Sequence, residues 1–101
     1  MSSLEVTNEQ SKAVQKTKNR VDLSQIENKI NKIEYHHPSF APHMTIAIVL
    51  LENGFIVTGE STPADPENYN EKLGRQFAYE AAVRKIWPME GYALREKLAV
   101  E

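Results

Sequence analysis

Asn53-Gly54 sits between two apolar runs, and this arrangement constrains the fold more than any other feature of the chain. Residues 44–52 are mostly aliphatic and β-branched, and residues 55–61 follow as a second β-prone run. Asn-Gly is the favoured pair for a two-residue type I′ turn, where both central residues need positive φ. The spacing predicts an antiparallel hairpin over residues 44–61. A two-residue turn also fixes register: Glu52 faces Phe55, Leu51 faces Ile56, Leu50 faces Val57, Val49 faces Thr58, and Glu60 lies opposite Ala47. Ala47, Val49, Leu51 and Ile56 then share one face. Ile46, Ile48, Leu50, Phe55 and Val57 share the other. Both faces are apolar near the turn, so neither suits bulk solvent.

Helices must cover that hairpin, because two strands alone are marginal in water. Asp22 and Gln25 have capping-box spacing, and Val21 and Ile26 have the spacing of a hydrophobic staple. Leu23, Ile26, Ile30 and Ile33 follow as one narrow apolar stripe, which predicts a helix over residues 23–34. Residues 35–43 carry Pro38 and Pro42 and read as a loop. Asp65, Pro66 and Glu67 are a cap, an N1 proline and an acidic first turn, so a long helix is expected from residue 66 to about 86. Gly74, Ala78, Ala81 and Ala82 give it a flat strip for close packing, flanked by Tyr69, Leu73 and Phe77 at steps of four. Pro88 predicts a kink or break near Trp87, with a last helical stretch to about residue 99.

The expected fold class is α+β: one antiparallel hairpin, an N-terminal helix and a long kinked C-terminal helix. The helices can cover only one hairpin face, so completion by oligomerisation is expected, with a homo-dimer favoured. Residues 1–20 are nearly all polar, without an apolar repeat, and read as a mobile arm preceding a single domain over residues 21–101.

Composition removes several function classes. Lys and Arg number 12 against 14 Asp and Glu, which argues against a nucleic-acid partner held by bulk positive charge. The chain has no cysteine, so disulfides, thiolate zinc sites and cysteine nucleophiles are excluded. No apolar run approaches the roughly 20 residues of a membrane span. The polar N-terminus does not read as a secretory signal.

An ordered string of short motifs then stands out: Asn53-Gly54-Phe55, Gly59-Glu60-Ser61, Asp65-Pro66-Glu67-Asn68-Tyr69, Leu73-Gly74-Arg75, and Ile86-Trp87-Pro88-Met89-Glu90-Gly91-Tyr92-Ala93-Leu94. Over residues 43–95 the chain resembles a family of small accessory proteins of tailed phages and prophages, known from coliphage N-four and Shigella phage Sf-six. The resemblance implies a phage or prophage origin and action in the cytoplasm of a bacterial host. It supplies no catalytic motif. Pro88 departs from the pattern, where a helix-compatible residue such as Glu is expected.

Three residue groups are candidates for chemistry. His36, His37 and His43 lie in one stretch, but adjacent imidazoles on a loop do not easily face one metal, so no metal or other cofactor is expected. Glu60 and Ser61 end the second strand and are candidates for binding at the hairpin's open end. No base or oxyanion pattern accompanies Ser61. Asn68, Arg75, Tyr79, Tyr92 and Arg95 combine Arg with polar aromatics, as binding hot spots and nucleotide-stacking pockets do. Trp87 and Tyr69 are assigned to packing. The leading expectation is a non-enzymatic phage protein that binds and modulates a host factor, with counter-defence as one form. An oligomer sequestering a small anionic ligand such as a nucleotide is the alternative. A small hydrolase using Glu60, Ser61 and a histidine comes last, since no triad is recognisable.

Overall fold

The computed structural model describes residues 2–101. Helices α1 (Ser3–Ala13) and α2 (Leu23–Asn28) lead into strands β1 (Ile30–His36), β2 (Thr45–Leu51) and β3 (Ile56–Ser61). A 3-10 turn at Pro66–Asn68 precedes the long helix α3 (Glu71–Ala99). The strands form one antiparallel sheet in the order β1-β2-β3. The class is α+β, as expected, with one strand more than the hairpin.

That strand replaces the second half of the helix expected over residues 23–34. The start of α2 is as anticipated: Asp22 caps it and its backbone N–H donates to Gln25 Oε1, closing the capping box. The helix stops at Asn28. Ile30 and Ile33, three residues apart, mimic a helical stripe, yet a bulge between Ile30 and Lys32 shifts the pairing by one residue. Ile30, Ile33 and Tyr35 therefore pair with Leu51, Val49 and Ala47 on one face of the sheet. One inserted residue is enough to give a strand the spacing of a helix.

The hairpin exists, but its turn is not type I′. Gly54 alone has positive φ, at 89°, and no non-glycine among the described residues does. Gly54 N–H donates to Leu51 O at 2.9 Å, and Leu51 N–H donates to Phe55 O at 2.9 Å. This is a three-residue loop in which a type I turn is followed by a left-handed glycine, and it slips the register by one. Leu50 pairs with Ile56, Val49 with Val57, Ala47 with Gly59 and Ile46 with Glu60. The slip moves Val57 to the face of Val49 and Ile56 to the face of Leu50, the reverse of the expected grouping.

Burial along β2 alternates strictly: Thr45, Ala47, Val49 and Leu51 are buried, and Ile46, Ile48 and Leu50 are half-buried. Helix α3 covers the first face. A Cβ on Gly59 would lie 2.2 Å from Ala78 O and 2.3 Å from Ala82 N, so strand and helix touch backbone to backbone. The small-residue strip of α3 serves the close approach expected of it. Val49, Val57, Val83 and Ile86 form the core with Ile26 and Leu23 from α2.

Two features of α3 differ from expectation. It begins at Glu71 with Asn70 as its cap, while Asp65 caps the separate 3-10 turn through Glu67 N–H. It also runs unbroken through Pro88. Pro88 and Arg84 are both exposed, so the proline stands on the outer side of the helix, where a missing backbone hydrogen bond is cheapest. Trp87 Nε1 donates to Val21 O at 3.1 Å, tying this turn to the start of α2.

The stretch expected to be an arm is helical in α1. Leu4 is only 3% exposed and joins the core cluster. Asn8 fastens the same turn, its Oδ1 accepting from Leu23 N–H at 3.0 Å and from Arg20 at 2.9 Å. Two side chains thus do the work of an apolar stripe, which explains why no repeat shows in the sequence.

Candidate functional site

The open end of the β2–β3 hairpin gathers a group of polar and aromatic side chains around a cavity. β3 ends at Ser61, and the chain passes through Thr62 and Pro63 to the 3-10 turn. Asp65 and Pro66 shape that turn, and Tyr69 closes it with its N–H donating to Pro66 O. The turn folds back, so that Asn68, Tyr69 and Asn70 lie beside Ser61. Together with His43, Thr62, Leu73, Gly74 and Phe77, they line a cavity of about 190 Å³.

Tyr69 is the pivot of this end. Its ring meets His43 edge-on, with centroids 5.1 Å apart, and His37 at 6.3 Å. Tyr69, expected in the core on a helical face shared with Trp87, packs instead against imidazoles, outside the core cluster and outside any helix. His37 is fixed by a 2.9 Å hydrogen bond between Nδ1 and Met44 O. Beneath Gly74 lies Thr45, fully buried, and a Cβ on Gly74 would sit 2.8 Å from its Oγ1. Glycine therefore lets the first turn of α3 rest directly on β2. The opposite wall is apolar: Leu73 and Phe77, one turn apart, are 45% and 49% exposed.

Of the residues singled out in the sequence, Ser61 and Asn68 meet in this cavity. Arg75 stands across α3 from it, over the Tyr35 ring at 5.4 Å and hydrogen-bonded to Glu71 at 3.0 Å. Tyr79 lies one turn on, its hydroxyl donating to Glu27 at 3.4 Å. Burial, helped by the Glu27 charge, pushes its phenol up to about 12. Glu60 points away, on the opposite sheet face in line with Ile46, 3.7 Å from Lys85. Tyr92 and Arg95 occupy the exposed distal part of α3. The seven candidates therefore do not form one site. Sequence reasoning missed His43, Thr62, Asn70 and Leu73 as cavity residues. The signal available was the pairing of a proline-rich loop before one strand with a capped turn after its neighbour, since antiparallel strands bring those two loops together.

A second concavity of about 490 Å³ lies between α2 and distal α3, lined by Arg20, Gln25, Lys29, Glu90, Leu94 and Lys97 among others. Two ion pairs lie at this concavity: Lys29 pairs with Glu90, and Arg20 with Asp22. Hydrogen bonds from Ser24 and Arg20 hold the Asp22 carboxyl well below the usual carboxylate range. Among the described residues no three His, Asp or Glu side chains converge on a position for a metal ion. No described helix is long and apolar enough to cross a membrane.

A three-stranded antiparallel sheet backed by one long helix, with a small cavity at the sheet's open end, defines a small protein of the α+β class. Residues 21–98 match the model of the phage protein (N4 Gp49/phage Sf6 gene 66) family, and the chain belongs to that family. The match includes α2 and β1, which lie outside the stretch that carried the resemblance in the sequence. No curated protein and no solved structure matches the chain.

Proposed function

We propose that this phage protein is a non-catalytic binder of a host protein in the bacterial cytoplasm, and that it takes one apolar side chain of its partner into the cavity at the open end of the sheet. The observation that supports this is the exposed pair Leu73 and Phe77 standing over a polar floor of Ser61, Asn68 and Asn70. Large apolar side chains left in water beside hydrogen-bonding groups are the composition of a protein-interface centre with its rim. Cavity size agrees, since about 190 Å³ accommodates an aliphatic or aromatic side chain rather than a nucleotide. Charge agrees too. A sequestered nucleotide needs a cation on its phosphates, and the described residues lining the cavity include neither lysine nor arginine, Arg75 being engaged by Glu71 and Tyr35 on the other side of α3.

The test is capture from host lysate by immobilised wild-type protein, Leu73→Asp and Phe77→Asp, with eluted proteins and metabolites both read by mass spectrometry. Both positions are about half exposed, so each variant is expected to fold normally by circular dichroism. The expected result is one host protein retained by the wild type and lost from both variants. The purified partner should then bind the variants about tenfold more weakly or worse. A metabolite eluting in its place would move the reading to the small-ligand alternative. Equal capture by all three forms would remove this cavity from the function.

A further inference from the structure

The sheet face turned away from α3 carries an ordered pattern of its own. Three cross-strand rows run over it: His36–Ile46–Glu60, Glu34–Ile48–Thr58 and Lys32–Leu50–Ile56. The middle strand contributes only aliphatic side chains, all half-buried, and Ile56 beside them is 57% exposed. The flanking strands contribute the charges. A face with an apolar midline and charged margins is built to be covered.

We infer that this face packs against the same face of a second copy of the chain, in a two-fold dimer whose strands are aligned. The charge pattern selects both the occupant and the axis. With the two-fold axis parallel to the strands, β1 of one copy lies over β3 of the other. His36 then meets Glu60, Glu34 meets Thr58, Lys32 meets Ile56, and the Ile46, Ile48 and Leu50 midline meets itself. No like charges face each other in that stack. With the axis across the strands, Glu34 would face its own copy, a repulsion that disfavours this arrangement. Aligned sheet packing keeps strand directions within about 30°, so the pairing of rows survives the sheets' twist. The surface is smaller than the roughly 20–30 residues a side of a standard interface, and the dimer is accordingly concentration-dependent. The cavity at the open end of the sheet takes no part in it, so the two sites are tested separately.

Sedimentation velocity from micromolar to near-millimolar concentration decides the matter. The wild type should move towards twice the 11.5 kDa chain mass as concentration rises. Ile48→Lys at the centre and Ile56→Lys at the margin should each weaken dimerisation by about tenfold or more while leaving the circular dichroism spectrum unchanged. Neither side chain enters the α3-facing core, and Ile56, being mostly exposed, gives a readout should Ile48→Lys fail to fold. Glu60→Lys should weaken the dimer, and His36→Glu added to it should restore binding by setting a carboxylate against the new lysine. A wild type that stays at the chain mass throughout overturns the inference. So does a dimer that both Ile→Lys variants leave intact. A monomer that instead binds a host protein through Ile48 overturns it in favour of another occupant.

Discussion

Gly54 and Asn53 separate two turn geometries that the dipeptide alone does not. A type I′ turn strains both positions for L side chains, whereas this turn strains only Gly54, at φ 89°. Gly54→Ala is therefore expected to cost about 1–2 kcal/mol, the usual penalty for a side chain in the left-handed region. Asn53→Ala should cost about 0.5–1.5 kcal/mol, the loss of its side-chain hydrogen bond from Phe55 N–H. Chemical denaturation of the two variants checks this, and a Gly54→Ala variant as stable as the wild type would overturn the left-handed assignment. Asp22 gives a second prediction at this scale. Its carboxyl sits below the ordinary carboxylate range in the folded state, because Ser24 and Arg20 hydrogen-bond the charged form. The unfolded chain titrates near about 3.9, so the contribution is complete above that pH and fades as pH falls towards the lower folded value. Asp22→Asn should thus destabilise the protein at pH 7 and matter progressively less on acidification below pH ~4. Melting curves across that range should show the two proteins converging, and a constant gap would assign the effect to capping geometry alone.

The contact between α3 and β3 depends on the absence of a side chain at Gly59. A Cβ there would meet only backbone atoms, Ala78 O and Ala82 N, which cannot swing aside. Gly59→Ala is expected to cost at least about 3 kcal/mol, at the upper end for overpacking, whereas Gly91→Ala, with nothing within 4 Å, should be neutral or stabilising by up to about 1 kcal/mol. Thermal unfolding of the pair measures the difference. The strip of Gly74, Ala78 and Ala82 made this contact legible, because small residues at steps of four on an otherwise large-residue helix state where something lies close. The capping box at Asp22 was equally legible, being local. What escaped was set by contacts distant in sequence. Ile30 and Ile33 are helical by spacing and strand by pairing, and only β2 decides between them. The site divided in the same way. Ser61 and Asn68 line one cavity because a short capped turn brings them together. Arg75 and Arg95 were grouped by residue type, yet twenty residues of helix at about 1.5 Å each carry them roughly 30 Å apart.

At the scale of the whole molecule, α1 is expected to be the element that detaches first. The helix spans 11 residues, too short to persist alone in water. It is held through Leu4 in the core cluster, through Asn8 on the Leu23 amide and the Arg20 guanidinium, and through Ser3 on Arg84. The family match begins at residue 21, so the α+β scaffold common to the family lies beyond this helix. Detaching α1 should therefore be a local event that leaves sheet and α3 standing. Leu4→Asp places a charge where the side chain is 3% exposed, and it is expected to release the helix rather than unfold the protein. The variant should keep a cooperative melt, with Tm lowered by several degrees, as follows from about 1–2 kcal/mol in a domain of this size. Limited proteolysis should cut it within residues 14–20 while residues 21–101 remain intact. Loss of the cooperative melt in the variant would instead make α1 an integral part of the core, with Leu4 as essential as Val49 or Ile86.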